Sequence, residues 1–175
     1  QVENYVQQVK LKMDRVLVMS ENVLKYAYLT NNMNKVVKNY YDVYDFLGNT
    51  DTYLNSVTNG LGDSCLTIYF SNKNLFENKY FSRIQALKNY EELKDRFSHQ
   101  KVNLIWDSAI YENANGEEYF LFYKNMPFNK DCILSCRMYI PPLTQNIQIK
   151  EKDASNYLSP AYVKVGINEY FDVIG

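Results

Sequence analysis

The opening thirty residues set apolar side chains at alternating intervals of four and three: Val2, Val6, Val9, Met13, Val16, then Ser20, Val23 and Ala27. A repeat averaging about 3.5 residues marks a helix that packs along a seam. Leu17, Leu24 and Tyr28 widen the stripe. At 1.5 Å per residue it predicts a helix on the order of 45 Å long. Two settings satisfy such a stripe. Either the helix lies on the domain's own sheet, or it rises as a stalk and forms a parallel seam between two copies. Thr30-Asn31-Asn32 interrupts the pattern and supplies candidate caps. A second helix is predicted with Met33, Val36, Val37, Tyr40, Tyr44 and Leu47 on one face, stopped by Gly48. Asn49 or Thr50 then caps a short helix through Leu54 and Val57 to about Gly60.

From Ser64 the period becomes two. Ser64–Phe70 reads as a strand with Leu66, Ile68 and Phe70 on one face and Cys65, Thr67 and Tyr69 on the other. Ser71-Asn72-Lys73-Asn74 is a turn, and Leu75–Phe81 is expected to return as a hairpin arm. Asn89 and Glu92 resemble a capping box for a helix over Tyr90–Phe97. Strands are predicted at Val102–Tyr111, Glu118–Lys124 and Cys132–Ile140. Asn115-Gly116 links the first two as a hairpin turn that requires positive φ, Asn129-Lys130-Asp131 links the next, and Pro141-Pro142 ends the last. A short Asn146–Lys150 segment, a strand at Ala161–Ile167 and an apolar helix at Glu169–Ile174 complete the pattern. Helices come first and hairpin-linked strands later, which predicts an α+β fold.

Composition narrows the function. The chain has 175 residues, 46% hydrophobic and 22% charged, which suits one soluble globular unit. Nineteen basic and twenty acidic residues leave a net charge of −1 without a basic cluster, so nucleic acid is not an expected partner. Seventeen tyrosines and 21 asparagines against six glycines suggest an AT-rich bacterial coding bias. The chain begins Gln1-Val2-Glu3 without an initiator Met and stops inside an apolar pattern, so we expect a fragment of a longer protein. It holds no run of 18 apolar residues and no signal peptide; any membrane anchor is expected in flanking sequence.

Candidate chemistry is sparse. His99 is the only histidine, which excludes a multi-histidine metal site, and it falls in a polar stretch after a helix. No nucleophile elbow, phosphate loop or dinucleotide fingerprint occurs, so we expect no enzyme activity, metal or cofactor in this segment. Cys65, Cys132 and Cys136 lack disulfide-framework spacing. Cys132 and Cys136 read as structural thiols on one strand face, with a bridge from Cys65 as the alternative. Two charges stand out inside aromatic strands: Asp107 beside Trp106, and Arg137 two residues before Tyr139. They either pair with each other or line a pocket that grips a polar ligand between tyrosines. The candidate ligand site is Asp107, Arg137, Tyr139, Tyr123 and Trp106, with Tyr69 and Tyr119 as further members. Strand alternation sends Trp106 and Asp107 to opposite faces, and Trp106 is the expected core member.

Four local stretches carry a family resemblance: Leu66-Thr67-Ile68-Tyr69-Phe70, Leu104-Ile105-Trp106-Asp107, Leu134-Ser135-Cys136-Arg137-Met138-Tyr139-Ile140, and Ala161-Tyr162-Val163-Lys164-Val165-Gly166-Ile167-Asn168. With the long amphipathic first helix and the turn through Tyr26–Leu29 and Asn31-Asn32, the chain resembles the extracytoplasmic Cache (PAS-like) region of YesM-type bacterial sensor histidine kinases. The resemblance lies in pattern and order. Trp106 does not sit in the Arg-x-Trp-Tyr signature of the family's amino-acid sensors. It implies long N-terminal helices (residues 1–60) packed on a five- to six-stranded antiparallel PAS-like sheet (residues 61–175), forming one structural unit. The tyrosine-rich walls suit a sugar-like or zwitterionic small-molecule ligand, and the Val2–Ala27 stripe is expected to form the parallel seam of a homodimer in the full-length receptor. Membrane spans would flank the segment, placing it on the extracellular face of a bacterial membrane, with a cytoplasmic kinase beyond. A chemoreceptor, a cyclic-dinucleotide enzyme, or a free-standing carbohydrate-binding or adhesion module would present the same kind of segment.

Overall fold

The computed structural model describes residues 2–33, 40–59, 66–126 and 131–140. The expected features at Met33–Tyr40, Gly60, Cys65, Asn129-Lys130, Pro141-Pro142, Asn146–Lys150, Ala161–Ile167 and Glu169–Ile174 lie wholly or partly outside these residues. The order is α1 (Val2–Lys25), α2 (Ala27–Asn32), α3 (Tyr40–Thr58), β1 (Leu66–Phe70), β2 (Phe81–Arg83), a 3₁₀ turn (Ile84–Ala86), α4 (Tyr90–His99), β3 (Leu104–Glu112), β4 (Glu118–Asn125) and β5 (Ile133–Tyr139). The fold is mixed helix and sheet with a helix-rich N-terminus.

The five described strands form one sheet in the order β2-β1-β5-β4-β3. Three of its four pairings are antiparallel; β1 and β2 run parallel, with Ile68 beside Phe81 and Phe70 beside Arg83. The expected hairpin arm at Leu75–Phe81 is therefore corrected. Residues 71–80 cross over instead of doubling back, because asparagine side chains hold the backbone in turns. Asn72 Oδ1 accepts from the Asn74 N–H, and Asn78 Oδ1 accepts from the Tyr80 and Phe81 N–H groups, each at 2.9 Å. Arg83 secures the crossover by donating to the Leu75 and Asn72 carbonyls at 2.9 and 3.3 Å.

The helical stripe packs on the domain's own sheet. Val9, Met13, Val16, Ser20 and Val23 are buried, together with Leu66, Ile68, Phe70, Phe120, Phe122, Leu134, Cys136 and Met138 from one sheet face. Val9 and Val16 are each 1% exposed, so a seam between two copies cannot be made by these side chains while this packing holds. Two contacts give the direction of α1 along the sheet. Tyr5 feels the charge of Glu118 at the start of β4, and Glu21 pairs with Lys124 near its end. Sixteen helical residues cover about 24 Å and six strand residues about 20 Å, so helix and strand run side by side in the same sense.

Two helix boundaries differ from expectation. The first helix breaks at Tyr26, whose extended backbone (ψ 108°) starts α2, and not at Thr30-Asn31-Asn32. Tyr26 stacks on Tyr53 at 3.7 Å, and Tyr53 donates to the Asn22 carbonyl, so packing against α3 sets the bend. Gly48 does not stop a helix: α3 continues through it to Thr58. The buried face Val43, Phe46, Thr50, Leu54 and Thr58 keeps its 3–4 spacing across Gly48, and tertiary burial overrides glycine's propensity cost of about 1 kcal/mol. Thr50 accordingly donates back to the Phe46 carbonyl at 2.6 Å and caps nothing. At α4, Asn89 occupies the cap position without a side-chain cap bond; its amide bonds Tyr123 instead.

The β3–β4 link is a hairpin in which Gly116 takes φ 78°. The Gly116 N–H bonds the Asn113 carbonyl and the Asn113 N–H bonds the Glu117 carbonyl, giving a three-residue loop with the left-handed position at glycine. Cys132 and Cys136 are buried thiols on the α1 side of the sheet.

Candidate functional site

The strand register sorts the candidate residues between two faces. Tyr69, Asp107, Tyr119, Tyr123, Arg137 and Tyr139 alternate with core-facing residues, and so belong to the face opposite α1. Trp106 lies on the α1 side, 5.0 Å from the ring of Phe120, and packs against the main core. The other six do share a face, spread over four strands.

That face is arranged in rows across the strands. Tyr111, Tyr119 and Tyr139 are direct neighbours across β3, β4 and β5, with ring centroids 5.7 and 5.4 Å apart. The next row is Asp107, Leu121 and Arg137. Beyond it come Tyr123 with Ile105 and Ser135, and then Asn125 with Ile133. Helix α4 covers the far rows: Leu93 and Phe97 pack with Leu87, Ile105, Tyr123 and Ile133, and Tyr69, Tyr90, Val102 and Leu121 border this second cluster. Among the described residues, no helix lies over the Tyr111-Tyr119-Tyr139 row.

Asp107 and Arg137 do not pair with each other. Leu121 separates them, at two interstrand spacings of about 4.8 Å each. Asp107 serves the backbone of its own strand. Four residues of β3 span two of β4 between Asp107 and Tyr111, a bulge that leaves donors unpaired. Asp107 Oδ1 accepts from the Ala109 N–H at 3.0 Å, and Oδ2 accepts from the Tyr111 hydroxyl at 2.5 Å. The Tyr111 phenol is pushed well above its ordinary 10.0, first by that bond and then by burial. Arg137 lies over the ring of Tyr119, 5.1 Å from its centroid, and is half-buried without a carboxylate partner among the described residues. Burial also raises Tyr69, partly offset by the Arg137 charge. Tyr123 is pushed up to about 12, by burial first and the Asp107 charge second, while its bond to Asn89 pulls it down.

Chemically, the face offers a row of stacked phenols, a guanidinium above one ring, and a carboxylate already engaged by a bulge. Such a surface can stack a planar or ring-shaped molecule and direct the donors of Arg137 at an anionic or hydroxyl-rich group. Tyr111 is the member that the sequence reading missed. Its parity with Asp107 was the available signal, because the extra residues in the bulge number two and preserve the face.

His99 is exposed, with Nδ1 2.8 Å from Asp95 Oδ1. Among the described residues no cluster of His, Cys, Asp or Glu has the makings of a metal site, and no helix is long and apolar enough to cross a membrane. Compared with protein-family models, curated proteins and solved structures, the chain matches none of them.

Proposed function

We propose that this chain is an extracytoplasmic, PAS-like (Cache) ligand-sensing module of a membrane-bound bacterial receptor, of the kind found in sensor histidine kinases. The observation that carries the reading is the division of the sheet between its faces. One face is sealed by a long N-terminal helix, and the other presents Tyr111, Tyr119 and Tyr139 beside Arg137, with Tyr123 buried under α4. The antiparallel run β1-β5-β4-β3 behind a helix-rich N-terminus supports it, while the parallel β1–β2 pair departs from the all-antiparallel sheet it expects. In this reading the ligand is a small sugar-like or zwitterionic molecule seated over Tyr119 and Tyr139 and held by Arg137. Asp107 fixes the bulge and the Tyr111 hydroxyl at the edge of the site. The homodimer of the full-length receptor then uses the outer side of α1, where Leu11 and Val18 are exposed, because Val9 and Val16 are already buried.

A thermal-shift screen of sugars, polyols and amino acids tests the site. A ligand at 100 times its dissociation constant adds about 2.7 kcal/mol of stability, several degrees for a domain of this size. Arg137→Ala and Tyr119→Ala are expected to abolish the shift while keeping a native circular-dichroism spectrum. A shift that survives both substitutions places the ligand elsewhere and refutes this site. The receptor assignment fails if no hydrophobic stretch of about 20 residues flanks this segment in the full-length protein.

A further inference from the structure

Helix α4 buries Leu93 and Phe97 on the sheet, and a neighbouring stripe of Tyr90, Lys94 and Ser98 runs beside them at intervals of four. Under the C-terminal half of this stripe lies a cavity of about 270 Å³, lined among the described residues by Lys94, Phe97, Ser98, Asn125 and Ile133. None of the candidate site residues lines it. Tyr119 and Asn125 are six residues apart on β4, about 20 Å at 3.3 Å per residue, so cavity and tyrosine row occupy opposite ends of one face.

Its chemistry is selective. Phe97 and Ile133 are buried and form an apolar floor. Lys94 lies 5.7 Å from the centroid of the Tyr90 ring and meets no carboxylate among the described residues. Ser98 and Asn125 add a hydroxyl and an amide to the lining. Three donors, one of them a full positive charge, thus border the cavity, and among the described residues no Asp or Glu lines it. A cationic guest would find no counter-charge, whereas a carboxylate would find an ammonium, a hydroxyl and an amide. The carbonyl end of α4 opposes an anion, but only with about half an elementary charge against the full charge of Lys94. At roughly 30 Å³ per water, the volume matches about nine waters, and so a guest with on the order of ten non-hydrogen atoms.

We propose that this cavity is a second binding site, specific for a small monocarboxylate with an apolar body. The proposal is independent of the receptor reading. The probes are benzoate and butyrate, with benzamide and butyramide as neutral shape-matched controls, titrated against the intact chain at constant ionic strength. Amide and side-chain NMR shifts and the melting temperature are followed. The carboxylates are expected to raise the melting temperature and to move the signals of Asn125 and Ser98 saturably, and the amides at least tenfold more weakly. Lys94→Gln, at an exposed position, is expected to weaken carboxylate binding at least tenfold, and Ser98→Leu to reduce it by narrowing the mouth. Arg137→Ala is expected to leave it unchanged. Equal binding of the amides, full binding by Lys94→Gln, or no saturable shift at Asn125 overturns the proposal. Loss on Arg137→Ala with retention in Lys94→Gln also overturns it, by assigning the carboxylate to the tyrosine row.

Discussion

Replacing Glu21 with Gln removes the carboxylate that faces Lys124, and the consequence is set by where the two groups lie. Lys124 projects from the interior strand β4 into the α1 side of the sheet with a side chain only 7% exposed, while Glu21 on α1 is 50% exposed. Burial lowers the Lys124 pKa from its ordinary 10.5. Without Glu21 the ammonium either stays charged in an apolar setting or gives up its proton. The second route caps the cost, because neutralising an ordinary lysine at pH 7 takes about 4.8 kcal/mol, at 1.36 kcal/mol per pH unit. Water around the half-exposed Glu21 screens the pair and pulls the expected loss below the roughly 3–5 kcal/mol seen for fully buried pairs. We expect Glu21→Gln to lose about 2 kcal/mol, roughly 4–8 °C in melting temperature for a domain of this size. Lys124→Met fills the same volume with an apolar chain and leaves Glu21 to hydrate, so its expected change lies within about 1 kcal/mol of zero. The double substitution should track Lys124→Met. Urea unfolding at pH 7, with slopes checked for constancy, measures all three variants. If Lys124→Met destabilises as much as Glu21→Gln, the lysine contributes through more than its charge pairing and the reasoning fails.

Alkaline pH should destabilise the fold. Burial pushes Cys132, Tyr5 and Tyr123 up to about 12, from 9.0 for the thiol and 10.0 for the phenols, so above pH 9 the native state holds protons that the unfolded chain has lost. Stability then falls with rising pH, by about 1.4 kcal/mol per unit from Cys132 alone above pH 9. Lys124 works the other way up to 10.5 but is one group against three; Cys132→Val should flatten the slope between pH 9 and 11, and an unchanged slope would exclude the thiol as its source. Gly48→Ala is expected to stabilise by about 1 kcal/mol, since an added Cβ meets nothing within 4 Å in the helix, whereas Gly116→Ala should cost about 1 kcal/mol because of its φ of 78°. Chemical denaturation of the two variants should give opposite signs; equal signs would contradict the backbone assignment at one of them. Val16→Asp should unfold the domain, a loss above about 4 kcal/mol, because it drives a charge into a site 1% exposed. A folded Val16→Asp variant by circular dichroism would mean that the stripe faces outward.

Local pattern made much of this protein legible. The alternation of Leu66, Ile68 and Phe70, and of Phe120 and Phe122, marks strand faces because a pleated backbone turns successive side chains to opposite sides. The stripe of α1 is readable for the analogous reason at period 3.5, and Gly116 because one backbone conformation there admits little else. The same alternation separates Trp106 from Asp107 without any knowledge of the sheet. Tertiary structure alone decided the rest. Whether the α1 stripe meets the domain's own sheet or another chain is not written in its spacing; the apolar face of β1, β4 and β5 supplied the partner. The crossover that makes β2 parallel depends on asparagine turns whose outcome is a long-range pairing, and Gly48 stays helical because the buried face on both sides of it is continuous. The pairing open to Asp107 and Arg137 was decided by strand order, which inserts Leu121 between them and leaves Asp107 to satisfy the bulge beside it. Residue types and periods fix what each segment buries. Which segments are neighbours, and therefore which polar groups meet, depends on contacts between residues far apart in the chain, which no local window contains.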